Sequence, residues 1–408
     1  LLDSNSLSFV KDSSPLPPLL ANVFLKGQYI WNGAPRRRRI PRLNSNYQSF
    51  KSESRKFVDK QKGKMNKESE FVVLEETGKL GVRHLKRFWA RTLAARDGKI
   101  FDNREDDRRF DNLILNGLSL SLEETLCYLS RFAPGFDEFE NWILTKNGGA
   151  IDELQIERLN CVLSNQPYGE RLRNSLKQIE DSADVLTDED LDFWEENGYV
   201  VVREAVSESQ ARATETAVWE FLEMEPSDSA SWYEKPIGKG IMMDFYHHRT
   251  LLENRNSPRI QKAFAQLWKT ADLWATTDRT SFNPPETESY SFQGPRLHWD
   301  MSLEPPFRFG TQGLLYLCDT SAEQGAFCCV PKFHRNLENW LKDLPENTDP
   351  RQVNLESEAV PIAASAGDFV IWHQALPHGS SPNRGKYPRI VQYLNMYPSE
   401  FRENEKWK

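Results

Sequence analysis

Leu297-His298-Trp299-Asp300 decides the reading of this chain, together with Gly367-Asp368-Phe369-Val370-Ile371-Trp372-His373-Gln374-Ala375-Leu376-Pro377-His378-Gly379-Ser380 and Arg389. His298 and Asp300 are two positions apart. On a strand, residues i and i+2 point to the same side, so both side chains can reach one metal ion. A second histidine, His378, follows eighty residues later. Two neutral imidazoles and one carboxylate suit Fe(II) and occupy one face of its coordination sphere, leaving three positions open. An isolated His-x-Asp carries little weight. It gains weight from the distal His378 in its Gly-Asp…Trp-His…His-Gly-Ser frame and from an arginine eleven residues beyond.

These segments resemble the phytanoyl-CoA dioxygenase family of Fe(II)/2-oxoglutarate-dependent oxygenases. The resemblance runs from about Leu186 to Pro398, roughly half the chain. It opens with Leu186-Thr187-Asp188-Glu189-Asp190-Leu191-Asp192-Phe193-Trp194-Glu195-Glu196-Asn197-Gly198-Tyr199-Val200-Val201-Val202-Arg203, similar to the family's first helix and strand. It continues through the His298 segment and Glu323-Gln324-Gly325-Ala326-Phe327-Cys328-Cys329-Val330-Pro331-Lys332-Phe333-His334-Arg335, and it ends at Arg389. One departure is Lys332-Phe333, where Gly-Ser or Gly-Thr is usual.

The resemblance implies an α+β chain. Its C-terminal part would be a double-stranded β-helix of the jelly-roll or cupin type, preceded by a smaller, mainly helical domain. It implies the cofactors Fe(2+), 2-oxoglutarate and O2, and oxidative decarboxylation of 2-oxoglutarate coupled to hydroxylation of a small-molecule substrate. His298, Asp300 and His378 would ligate the metal. Arg389 would pair with the distal carboxylate of 2-oxoglutarate through a charge-assisted, two-pronged contact. Ser380 would offer a hydroxyl to the same carboxylate. Gln312 shares strand parity with Leu314 and Tyr316. It would hydrogen-bond the cosubstrate or position substrate if that face lines the barrel, and is otherwise a structural amide. In related halogenases a small residue replaces the carboxylate, so Asp300 favours oxygenation.

Other candidates are weaker. His334 would give the metal a fourth protein ligand and is read as structural. His373 reads as a neighbour of the site, His247 and His248 as residues near the substrate mouth, His84 as surface, and Arg384 as a turn residue. Trp299, Phe307, Phe309, Trp372 and Tyr387 are candidate pocket walls. Two rival readings stay open: a cupin-type metalloenzyme that does not use 2-oxoglutarate, and a binding or regulatory protein with a degenerate oxygenase domain.

At 408 residues, with 38% hydrophobic and 12% aromatic content, the chain can bury more than one core. No apolar run approaches a membrane span, and no secretory signal is legible, so a cytoplasmic protein with reduced thiols is expected from the five scattered cysteines. Residues 1–100 hold 21 Lys+Arg against 9 Asp+Glu, a balance of +12. The net charge of −8 then leaves −20 for the remainder. A basic arm on an acidic body can bind an anionic surface or dock on its own domain; nucleic acid is not expected as a partner, and oligomeric state cannot be read.

The expected organisation is a basic, proline-containing segment over 1–67, a helical domain over 68–165, a linker over 166–185 and the oxygenase domain over 186–408. In the helical domain, Phe136, Phe139, Trp142 and Ile143 form one apolar stripe, and Ile156, Leu159, Val162 and Leu163 another. Strands are expected at Tyr199–Arg203, Arg296–Met301, Thr311–Leu317, Ala326–Val330, Phe369–Trp372 and Arg389–Met396.

Overall fold

The computed structural model describes residues 76–99, 106–234, 237–238 and 240–402. The basic segment 1–67 and its Arg36–Arg39 run lie outside them.

Among the described residues five helices come first: α1 (Leu85–Arg96), α2 (Asp107–Gly117), α3 (Leu122–Phe132), α4 (Phe136–Lys146) and α5 (Glu153–Leu163). Their ends follow from local chemistry. The Ser121 hydroxyl accepts from the Glu124 amide at the start of α3, and the Asp152 carboxylate accepts from Leu154 at the start of α5. Asn147-Gly148-Gly149 ends α4, with both glycines at positive φ. The stripes seen in the sequence meet in one core, where Phe88, Phe139, Ile143 and Leu159 are fully buried. Beside it lies a buried ionic knot in which Arg87 donates twice to Asp107, and Arg91 and His84 contact Asp111. His84 is thus buried, not on the surface.

Residues 166–185 contain a further helix, α6 (Glu170–Glu180), before α7 (Asp188–Asn197) and β1 (Tyr199–Val202). Thereafter the order is α8 (Glu208–Leu222), β2 (Met242–Met243), α9 (Arg249–Arg255), α10 (Pro258–Trp268), β3 (Leu273–Ala275), β4 (Thr280–Asn283), β5 (Thr311–Tyr316), β6 (Phe327–Cys329), α11 (Leu337–Asp343), β7 (Val360–Ile362), β8 (Phe369–His373), β9 (His378–Ser380), β10 (Arg389–Tyr393) and β11 (Met396–Pro398).

All the strand pairs are antiparallel. β1-β8-β5-β10-β4-β2 form a six-stranded sheet, β7-β6-β9 a three-stranded sheet, and β11 pairs with β3. Strand alternation sorts side chains between two cores. Leu315, Phe369, Ile371 and Ile390 join residues of α8 and α10 on one face of the large sheet. Leu314, Tyr316, Val370, Trp372 and Val391 pack on the other face against Phe327, Cys329 and Ile362 of the small sheet. The chain is therefore a mixed helical and antiparallel-sheet protein whose helical N-terminal region precedes the sheets.

The helical region is not a free appendage. Trp274 of β3 is buried in the helical core, with the Arg158 guanidinium stacked 4.1 Å above its ring. Arg158 also pairs with Asp272 at 2.6 Å, and the Tyr168 hydroxyl donates to the same carboxylate. Across the same junction Glu123 pairs with Arg279, and Glu124 with His247 at 2.8 Å. His247 is thus engaged by α3, while His248 caps α9. No described helix is long and apolar enough to cross a membrane.

Candidate metal centre

Two strand expectations are corrected: Arg389–Met396 divides into β10 and β11, which join different sheets, and Arg296–Met301 is not a strand. Residues 296–301 form no strand; His298 makes a single antiparallel bridge to His378. Proline at 295 and Pro305-Pro306 limit pairing on either side. The bridge is nevertheless reciprocal: the His298 amide donates to the His378 carbonyl at 2.9 Å, and the His378 amide donates back at 3.0 Å. The segment is held from outside by Arg351, whose guanidinium donates to the carbonyls of Trp299 at 2.9 Å and Met301 at 2.7 Å. Trp299 turns into the core between the sheets and donates its indole N–H to the Ala375 carbonyl.

Between these anchors the three candidate ligands converge. Asp300 Oδ1 lies 3.4 Å from His298 Nε2, and Asp300 Oδ2 lies 3.3 Å from His378 Nε2. Among the described residues this is the one group of His, Cys, Asp and Glu able to hold a metal, its ligand atoms all within 4.8 Å of one another. His298 keeps 29% side-chain exposure against 11% for Asp300 and 5% for His378, so the site opens on the His298 side.

The tautomers test the fit. His298 Nδ1 lies 2.9 Å from the Arg296 carbonyl, and His378 Nδ1 lies 3.0 Å from the Leu376 carbonyl. A carbonyl only accepts, so each Nδ1 must carry hydrogen. In the neutral rings both Nε2 atoms then present lone pairs toward the carboxylate oxygens. Lone pairs facing one another at 3.3–3.4 Å need a cation between them. Two ligands at right angles, each about 2.1 Å from a metal, sit about 3.0 Å apart, so a small settling suffices. In the metal-free protein a proton partly fills the role. Burial opposes charge on His298, yet the adjoining Asp300 carboxylate raises its pKa. Burial would raise Asp300, but His298 and His378 hold it well below the usual carboxylate range. Burial lowers His378 despite Asp300.

Gln312 lies at the site. Its Nε2 donates to Asp300 Oδ2 at 2.8 Å, and its Oε1 accepts from the Trp372 indole at 3.1 Å. Strand parity identified its face; what the sequence did not reveal is that it holds a ligand.

Arg389 is fully buried on β10, opposite Asn283 of β4. One Nη2–H donates to the Ser281 hydroxyl at 3.0 Å, while Nε and Nη1 have no hydrogen-bond partner among the described residues. No carboxylate of the described residues lies within ion-pair distance of it. A buried guanidinium with two unused donors is costly unless an anion meets it. Ser380 is buried on β9, two residues past His378, and the next carbonyl, of Ser381, accepts from Asn283. Ser380 and Arg389 therefore lie toward the same end of the sheets. Arg384 is exposed.

The remaining candidates lie elsewhere. His334 sits over Gly198 and contacts the Glu195 carbonyl, and its ring is 5.2 Å from that of His373. Tyr387 packs on the helix-covered side, donating to Glu215, so it is no wall of this cleft. Lys332 occupies a left-handed backbone conformation with φ 68, which explains why glycine is usual there. All five cysteines are free thiols.

The same stretch of the chain is similar to known proteins. Residues 194–391 match the family model described as Phytanoyl-CoA dioxygenase (PhyH). A "Putative phytanoyl-CoA dioxygenase" of Dictyostelium discoideum is 23% identical over 261 residues, covering 51% of this chain and 74% of that protein. The "Ava biosynthesis cluster protein O" of Aspergillus versicolor is 20% identical over 239 residues, covering 52% and 77%. Among solved structures, EvdO2 from Micromonospora carbonacea var. aurantiaca, complexed with 2-oxoglutarate, is 17% identical, covers 56% of this chain and 96% of its own, and superposes with a TM-score of 0.38. Trp194 to Val391, the stretch that carries the triad and Arg389, is a phytanoyl-CoA dioxygenase (PhyH) family domain.

Proposed function

We propose that this chain is an Fe(II)/2-oxoglutarate-dependent oxygenase that hydroxylates a small organic substrate. The observation that carries the reading is a pairing of two unmet needs. Three lone-pair donors converge on one point, and a fully buried arginine on the same fold has two donor nitrogens that no described residue meets. Fe(II) with 2-oxoglutarate would supply both: a cation that His298, Asp300 and His378 would hold, and a dicarboxylate whose far carboxylate Arg389 and Ser380 would bind.

When bound, that pair supplies oxidative decarboxylation of 2-oxoglutarate by O2 and the oxidising power for the substrate. The chain's own residues bind, orient and exclude water. His298 and His378 are locked as Nδ1–H tautomers by the Arg296 and Leu376 carbonyls, which keeps both Nε2 atoms free for the metal. Asp300 would fill the third protein position, so that a chelating cosubstrate and O2 would take the other three and leave none for a halide. Arg389, closed off from solvent, sets the cosubstrate's direction through its far carboxylate. The more open His298 side is where substrate enters. The two facing sheets are read as the halves of a double-stranded β-helix, with 186–408 as the oxygenase unit, 68–165 as a helical domain, and the cytoplasm as its place of action.

The test is a substrate screen with Fe(II)-loaded protein, scored by succinate release and by mass spectrometry of the product. Succinate formed in step with a product 16 mass units heavier, or one derived from it, is expected. A chlorinated main product, or turnover without succinate, would contradict the reading.

A further inference from the structure

Asp300 is the only carboxylate of the triad, and how it is held decides how many positions it leaves open. Its two oxygens are not equivalent. Oδ1 faces His298 Nε2. Oδ2 lies 3.3 Å from His378 Nε2 and, unlike Oδ1, also accepts the Gln312 amide at 2.8 Å. The amide cannot be turned round. The Trp372 indole only donates, so the oxygen it meets at 3.1 Å must be Oε1, which commits Nε2 to Asp300. Trp372 is itself fixed, 2% exposed, with the Phe327 ring 4.4 Å from its own. Indole, amide and carboxylate thus form a directed chain anchored in the core between the sheets.

We infer that Gln312 is a positioning residue that holds Asp300 through Oδ2 and fixes the attitude of the carboxylate at the metal, so that it does not swing to chelate with both oxygens. This rests on the metal-binding reading above. One-oxygen ligation keeps three positions open, as a chelating cosubstrate and O2 together require. A carboxylate free to rotate could close on the metal with both oxygens and remove one of them. Both ends of the Gln312 amide are engaged, by Asp300 and by Trp372, so it acts through Asp300.

The experiment is calorimetric titration of the metal-free full chain with Mn(II), comparing wild type with Gln312→Met and Gln312→Asn. Methionine keeps the length and loses the donor. Asparagine keeps the amide but is one carbon too short to span Trp372 and Asp300. Both should weaken Mn(II) binding by about 10- to 100-fold, the usual effect of losing a partner that orients a ligand. Circular dichroism should find them folded at the measurement temperature. The visible absorption of Co(II)-loaded Gln312→Met should also shift from wild type, because the carboxylate's attitude at the metal changes. If methionine is not tolerated, the asparagine variant carries the measurement with the same limits. Variants that bind Mn(II) within a factor of two of wild type and give an unchanged Co(II) spectrum overturn the assignment. Wild-type protein that binds no Mn(II) overturns both this assignment and the proposed function.

Discussion

His298 and His378, eighty residues apart in sequence, exchange both of their backbone hydrogen bonds, at 2.9 and 3.0 Å, and bring their rings to 4.7 Å. The contact is the junction between the irregular segment after Pro295 and strand β9. It makes the metal site a property of the folded chain, since segments eighty residues apart in sequence meet there.

Metal stoichiometry follows from that junction. The metal-free protein should take up about one equivalent of Fe(II) under anaerobic conditions, measured by calorimetry. His298→Ala or His378→Ala should abolish stoichiometric binding, because two remaining ligands cannot complete the set. Undiminished uptake in both variants would show that the converging lone pairs are not the site.

Acid sensitivity should trace to His373. Burial pushes its pKa down from 6.5 to about 3, with His334 beside it acting in the same direction. The folded pKa lies below the unfolded one, so the unfolded chain binds the extra proton first. Stability is therefore unaffected above about pH 6.5 and falls as pH drops from there toward 3, by up to about 1.4 kcal/mol per pH unit. Urea titrations should show this slope in wild type and a flatter one in His373→Gln. An identical slope in both would assign the acid response to other groups.

Trp274 should couple the helical region to the sheets. It is 1% exposed and lies in the helical core although β3 carries it. Trp274→Ala should cost about 3–5 kcal/mol and separate one thermal transition into two, with limited proteolysis then cutting within 166–185. A single transition at the wild-type midpoint would mean that the junction contributes little.

What the sequence disclosed was chemistry at fixed spacing. His298, Asp300 and His378 were legible because ligation demands particular residue types, and the structure brings them together. The reason given for the first pair was only half right: the side chains converge, yet 296–301 is no strand, and its shape is set by Arg351 and by a bridge to His378, neither of which leaves a local pattern. Alternation placed Gln312 on the correct face of β5. It could not say that Trp372 orients the amide, because that depends on the register Gln312–Trp372 between β5 and β8. The helices were legible from caps and stripes. Trp274 was not assigned to their core, since a tryptophan in a β-rich stretch gives no sign that it faces another region.

The central claim is that the metal triad and Arg389 hold the two ends of one 2-oxoglutarate molecule. The most direct measurement is the affinity for 2-oxoglutarate, with and without metal, in wild type, Arg389→Ala and Arg384→Ala, under anaerobic conditions. Binding should require Fe(II) or Mn(II). Arg389→Ala should weaken it by roughly two orders of magnitude, since losing a buried charge pair costs about 2–5 kcal/mol, while exposed Arg384→Ala should leave it near wild type. Binding that ignores the metal, or that is lost with Arg384 and kept without Arg389, would contradict the account.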